Sequence, residues 1–315
     1  MRIHLSNSAF LGNIDAFVQR INTSQPELLE ITANKRWISL HPVVLAMVAA
    51  QGLVARDVRC EEFEAKSRHY LERMGLFRFL RISSDIKIIE HEPAGRFIPL
   101  RQVQTNEELS AFITEIVPLL HLDPVQAEPI RYVVSELVRN VLEHAHAQHG
   151  AIVCAQYYKK SNTIRIGIVD TGAGIRKTIS AAHDVKDDLD ALRLALTPGI
   201  TGTTAREGGT EYNAGAGLFF IKSIAQANKN FFVLYSGRAL YKLLKSSGAR
   251  LHGDPYRDRH STMENCPPWQ GTIVGVDLSL APTQEFTTLL DRIREEYTKN
   301  VRERKRSRNK EARFV

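Results

Sequence analysis

The sequence has no apolar run approaching the ~18 to 20 residues that a membrane-crossing helix needs, so none of its 315 residues is expected to span a bilayer. Its first twenty residues lack a basic stretch followed by an apolar one and a cleavage site, and secretion is not expected. Cysteine is scarce. Cys60, Cys154 and Cys266 are odd in number, lie far apart and form no CxxC pair. That excludes a disulfide frame or a zinc site and points to free thiols in a reducing compartment, with a cytoplasmic location expected. The sequence contains no internal repeat. Most of the chain also lacks a charge excess. The net charge is +7, but residues 299–315 hold eight basic residues against Glu303 and Glu311, which leaves the rest near +1. The excess describes a tail rather than a basic surface on the folded body.

What is present fits a soluble globular chain, with 43% hydrophobic and 24% charged residues and length enough for two domains. Residues 2–5 and 28–32 read as strands, 14–21 as a short helix and 55–60 as a weaker strand. Between them, Pro42 opens and Gly52 closes an almost wholly apolar helix, which has to be buried on most sides. Residues 67–77 read as an amphipathic helix, and His91-Glu92-Pro93-Ala94-Gly95 marks a domain boundary. The first 95 residues thus look like a small α/β layer domain. Beyond it come a linking strand (98–103), a helix (106–119), and Asp123-Pro124 as the start of a longer helix reaching Gly150. Strands 151–158 and 163–169 are joined by a polar turn. Residues 176–214 hold a helical piece near 184–196 and are otherwise rich in glycine and threonine, as a mobile functional loop would be. Residues 218–227 read as a helix, in which Lys222 is expected to be exposed. A hairpin (231–244), a loop (252–268), a last strand (271–278) and a helix running from Pro282 into the basic tail complete the chain.

The helix spanning 131–150 carries the chemistry. Ile130, Val134, Leu137, Val141 and Ala145 share one apolar face, while Glu136, Asn140 and Glu143 stack on a polar stripe about 100° away. Downstream, a strand ends in Asp170-Thr171-Gly172-Ala173-Gly174, and Gly215-Ala216-Gly217-Leu218 opens an apolar helix.

In this order the three pieces resemble the N, G1 and G2 boxes of the GHKL ATPases, the superfamily of the gyrases and histidine kinases. Gly271-Thr272 adds a fourth match, and the likeness covers roughly residues 100 to 282. Glu136-Leu137-Val138-Arg139-Asn140, followed by Glu143-His144-Ala145, looks most like the anti-sigma-factor serine kinase branch. The resemblance implies ATP and Mg²⁺ as cofactors. Asn140 would be the metal ligand, since its amide oxygen is a hard donor. Glu136, one turn earlier, would orient or deprotonate the attacking oxygen. Asp170 would accept a hydrogen bond from the adenine amino group, with Thr272 in support. Gly172 and Gly174 would allow close backbone approach, while Gly215, Gly217 and Leu218 would open a helix whose N–H groups favour phosphate. The 176–214 segment would be the ATP lid. Phe219 stands where the second glycine box often has a further glycine, so lid packing is expected to differ. No His-Glu-x-x-Arg-Pro phosphoacceptor motif precedes the domain, which disfavours an autophosphorylating sensor kinase. His144, His146 and His149 do not share a helical face and are not expected to bind metal.

The first domain resembles the STAS-like domains through Leu40-His41-Pro42 with its buried helix and through Tyr70-Leu71-Glu72-Arg73-Met74-Gly75. Ser39 is nearest to the serine that accepts phosphate there, but the Asp-Ser-Ser-Gly context is missing and a structural role at the helix start is expected. The expected architecture is therefore α/β (α+β). It has a STAS-like domain (1–95), a GHKL α/β sandwich with helices on one face of a mixed sheet (96–282), and a C-terminal helix with a basic tail (283–315). The expected function is that of a regulator using Mg-ATP for hydrolysis or for phosphoryl transfer to a protein Ser/Thr. The alternative is a non-catalytic ATP-dependent switch that recruits a protein partner. A homodimer is compatible with either, nucleic acid only through the tail, and no membrane partner is expected.

Overall fold

A computed structural model describes residues 1–25, 27–33, 38–60, 65–84, 86, 97–120, 122–204, 216–246, 250–280 and 285–311. The expected domain boundary at 91–95, Gly215 and residues 205–214 of the expected lid lie outside the described residues.

The chain opens with β1 (Arg2–Leu5), β2 (Ser8–Ala9), α1 (Ile14–Val18), β3 (Leu28–Ala33), β4 (Ser39–Leu40), α2 (Pro42–Val54) and β5 (Asp57–Cys60). Strands β1, β3 and β5 pair in parallel in that order, and β2 pairs with β4. Two short helices follow, α3 (Ala65–Arg73) and α4 (Leu76–Phe79), where one helix over 67–77 was expected. Gly75, at φ +76°, breaks it. Next come β6 (Phe97–Val103), α5 (Asn106–Leu120) and α6 (Pro124–Asn140), then β7 (Ala151–Tyr158) and β8 (Thr163–Val169). The remainder is α7 (Ile175–Ser180), α8 (Asp188–Ala195), α9 (Gly217–Ala227), β9 (Phe232–Gly237), β10 (Ala239–Leu243), β11 (His260–Met263), β12 (Trp269–Ser279) and α10 (Phe286–Glu311). Strand β11 lies within the stretch expected to be a loop, and pairs antiparallel with β10.

The α/β expectation holds, but the sheet of the 96–282 region, expected to be mixed, is antiparallel throughout its described strands. The seven-stranded sheet has the order β11-β10-β9-β12-β8-β7-β6, and all its neighbours are antiparallel. Among the described residues, parallel pairing occurs only in the two small sheets of the N-terminal segment, because each neighbouring pair in the large sheet runs in opposite directions. The helices of the 97–280 segment cover one face of the large sheet, where Ile130, Val133, Val134, Leu137 and Val138 of α6 meet Ile164, Ile166 and Ile168 of β8.

The other face carries α2, which packs over β7, β8 and β12 and against α4. Its side chains join one core with Ile3, Leu5, Leu29 and Ile31 below and Ile152, Cys154, Val169 and Val233 from the large sheet above. Burial of every residue from Pro42 to Gly52 follows from this position. It also explains why β8 reads as an almost unbroken apolar run, since both of its faces are covered. Gly167 and Gly275 are cross-strand partners under the first turn of α2. A Cβ at Gly167 would run into the Val43 backbone, and one at Gly275 would stand 2.7 Å from Leu11.

Helix α2 is capped by His41 rather than started by Ser39, because the residue before Pro42 is the one whose side chain faces the free N–H groups. His41 Nδ1 accepts from the Val43 N–H at 3.0 Å, so Nε2 carries the proton and donates to Asp277 Oδ1 at 3.1 Å. Burial lowers the His41 pKa and keeps the ring neutral. Arg165 reaches the same carboxylate at 3.6 Å, with its guanidinium over the rings of Phe10 (4.3 Å) and Tyr158 (4.0 Å). These contacts fasten the N-terminal segment to the central strand β12.

Candidate nucleotide site

Helix α6 places Glu136 and Asn140 one turn apart, and then its winding changes. Residues Val141–Ala145 form a π turn, ended by His146 at φ +48°. The helix therefore stops at Ala145 instead of running to Gly150. Single π turns inside α-helices are frequent at functional sites. The wider turn leaves the Ala145 carbonyl free to accept from the Ala173 N–H at 2.7 Å. That bond ties the glycine loop after β8 to the end of α6. Gly172 is required there, because a Cβ would collide with the Ala145 carbonyl.

Asp170 ends β8 and is 2% exposed. Its backbone N–H donates to the Thr272 carbonyl at 2.9 Å, and its Oδ1 accepts from the Gly172 N–H at 2.7 Å. Thr272 bonds to the same carboxylate through its backbone and its hydroxyl. Desolvation outweighs these bonds and pushes the Asp170 pKa up to about 6. Behind it, the Trp269 indole donates to the Asp170 carbonyl at 3.2 Å. Ser236 donates to the Gly271 carbonyl at 2.6 Å and accepts from the Ile175 N–H at 3.0 Å, joining β9, the Gly271 loop and the start of α7. Gly271 sits at φ +94° with Asp170 against its α-carbon, so only glycine fits.

Between these elements lies a cavity of about 690 Å³, within the range of small-molecule sites. Glu136, Asn140, Asp170, Gly174, Gly217, Leu218 and Thr272 all line it, while Gly172 packs behind. The pieces converge: a Cβ on Gly217, the first residue of α9, would stand 3.1 Å from Glu136 Oε2 and 3.3 Å from Asn140 Nδ2. The N-terminus of α9 thus faces the carboxylate and the amide across a gap that only a side-chain-free residue leaves open. Burial raises the Glu136 pKa, Arg139 works against it, and Glu143 adds to it. Arg139 Nη1 donates to Glu136 Oε1 at 3.2 Å, and Arg139 Nε lies 4.0 Å from Glu143.

Of the expected lid (176–214), residues 176–204 are described, and α7 and α8 pack on each other and on β9. Ile175 and Ile179 of α7 and Ala191 and Leu192 of α8 are buried. Gly202 lies against the Thr178 carbonyl, and Thr201 bridges to Thr204. Ile200, Thr201 and Gly202 form one wall of the cavity. The spacing of Ile175 and Ile179 was the signal for α7, hidden by the surrounding glycine and threonine.

Lys222 corrects the sequence reading most sharply. It is fully buried in α9 and ion-paired with Asp258. Asp258 also accepts from Gln226 Nε2 at 2.7 Å and is bonded to His252 at 2.8 Å, and Lys222 Nζ donates to the His252 carbonyl at 3.1 Å. The outer side of α9 is covered by α10, where Tyr297 packs on Phe219 and Phe220. The helix is therefore enclosed all round, and its lysine is satisfied internally. The same loop grips α8, with Arg193 meeting Asp254 at 3.3 Å and lying over Tyr256.

Among the described residues no group of three or more His, Cys, Asp or Glu could hold a metal by itself. The oxygens of Asn140 and Glu136 are hard donors in one wall of the cavity, suited to an ion that keeps most of its waters and is shared with phosphates. The residues present fit Mg²⁺ bound together with a nucleotide.

Residues 98–229 match the family model of the histidine kinase-like ATPase domain. The matched stretch runs from β6 through α9 and includes every expected site residue except Thr272. It supports the GHKL resemblance read from the three boxes. No curated protein matches the chain. Among the described residues no helix is long and apolar enough to cross a membrane.

Proposed function

We propose that the chain binds Mg-ATP in this cavity and uses it to regulate a protein partner, by hydrolysis or by passing the γ-phosphoryl group to a protein Ser/Thr. The observation that carries this is the meeting of Glu136 and Asn140 with Gly217, some eighty positions later, in the wall of a cavity that the buried Asp170 also lines. Asp170 would accept from the adenine amino group. The first N–H groups of α9 would receive the phosphates. Asn140 would hold Mg²⁺, which when bound neutralises charge on the phosphate oxygens. Glu136 would take the proton from the attacking water or hydroxyl as the new O–P bond forms and ADP leaves. Its raised pKa suits a base. The anti-sigma kinase likeness supports a protein hydroxyl as acceptor. The parallel β1-β3-β5 sheet is compatible with the STAS-like reading of the N-terminal segment.

One observation favours the second reading, a switch without chemistry. Arg139 already occupies Glu136. Substitution separates the two. Glu136→Ala should bind ATP almost normally and lose turnover by ~10² to 10⁴-fold, whereas Asn140→Ala should weaken Mg-ATP binding as well. The measurements are ATP affinity, phosphate release and label transfer to co-purifying proteins. A wild type that does neither reaction would leave the switch.

A further inference from the structure

Helix α10 has two unlike halves. The first is anchored: Phe286, Leu289, Leu290 and Ile293 are buried, and Tyr132 of α6 packs on Phe286 at 5.9 Å. Val301 is buried, Arg302, Glu303, Lys305 and Arg306 are exposed, and the helix continues to Glu311. From Arg302 onward it reads Arg-Glu-Arg-Lys-Arg-Ser-Arg-Asn-Lys-Glu, six basic residues against two acidic and no apolar one.

We propose that residues 302–311 of α10 form a rigid arm that binds the phosphate backbone of duplex DNA. A membrane-surface helix needs an apolar face, and a helix docking in a protein groove needs apolar anchors at i, i+3 and i+4. This segment has neither. Phosphate binding needs charge and donors alone, and four of the six basic residues are arginines, whose planar fork matches phosphate oxygens. A helix of about ten residues is ~15 Å long, and the major groove of B-DNA admits an α-helix while the deep, narrow groove of duplex RNA does not. Lying in that groove, the helix would give its charges to the phosphates on either side, and such contacts are independent of sequence. None of these residues lines the nucleotide cavity, so the arm stands or falls separately from the ATP reading.

The test is fluorescence anisotropy of the full chain with a labelled DNA duplex, an RNA duplex of the same sequence and a polyglutamate peptide. DNA should bind tightest, and with about four phosphates neutralised its affinity should fall roughly 10²-fold from 50 to 200 mM salt. The triple variant Arg302→Glu, Lys305→Glu and Arg306→Glu should lose at least tenfold in affinity, with unchanged helix content and thermal midpoint. Arg302→Lys, which keeps the charge, should bind DNA nearly as the wild type does. DNA binding equal in the folded triple variant and the wild type overturns the arm. So does RNA or peptide binding as tight as DNA, or no DNA binding at 50 mM salt.

Discussion

Asp170 gives the most discriminating prediction because its titration and its contact are coupled. In the ligand-free protein its pKa is raised from an ordinary 3.8 to about 6, first by desolvation. On the proposed reading an adenine amino group would donate to the ionised carboxylate, so binding should be complete well above pH 6 and be lost as the pH falls through it. The ionised share drops from about nine-tenths at pH 7 to about one-tenth at pH 5, and ATP affinity should fall about tenfold over that interval. Asp170→Asn removes the titration and the charge. Its affinity at pH 7 should be at least about tenfold lower, since a hydrogen bond to a charged group is worth ~1.5 to 3 kcal/mol, and should not change with pH beyond the nucleotide's own titration. Folding stability follows the opposite course. A carboxyl whose folded pKa is raised contributes stability below pH 3.8 that is lost as the pH rises through 6, on the order of 3 kcal/mol. The variant avoids that loss and can still accept from the Gly172 N–H, so it should melt no lower than wild type at neutral pH. Titrating a fluorescent ATP analogue between pH 5 and 7.5 into both proteins measures the difference. Equal affinity in a folded Asp170→Asn, or a wild-type affinity independent of pH, would refute the assignment of Asp170 to the base.

Two further outcomes follow from the packing around the cavity. Lys222→Met should destabilise by about 3 to 5 kcal/mol, because it leaves the Asp258 carboxylate buried without its cation, and adding Asp258→Leu should recover part of the loss; a denaturant midpoint unchanged by the single substitution would contradict the pairing. Mg-ATP should slow amide exchange at residues 200–202, which wall the cavity, and leave β8 unaffected; equal exchange with and without nucleotide would argue that this segment is not part of a lid.

The chemistry was more legible than its setting. Glu136 and Asn140 fall on one helical face by spacing alone, and Asp170 ends a strand whose apolar run is plain in the sequence. The complete burial of α2 was equally readable from Pro42 to Gly52. What covers it was not, because Gly167 and Gly275 become a landing surface only when β8 and β12 pair. Lys222 misled for the same kind of reason. Its partner Asp258 lies 36 residues away, and the cover from Tyr297 farther still, so a local reading saw only a charged residue on a helix. The π turn at Val141–Ala145 has no signature in residue type, since it is held by the Ala173 N–H arriving from the next loop. Arg139 and Gly271 stood within motifs already noticed, while Ser236 gave no local signal.

The claim that the chain is a nucleotide-binding protein working through this cavity is tested most directly by calorimetric titration of Mg-ATP into wild type and Gly217→Val. The added side chain would begin 3.1 Å from Glu136 Oε2 and fill the corner proposed to receive the phosphates. One nucleotide per chain should bind to wild type, weaken without Mg²⁺, and give no heat with a variant of unchanged thermal midpoint. No binding to wild type, or equal binding to the folded variant, would contradict it.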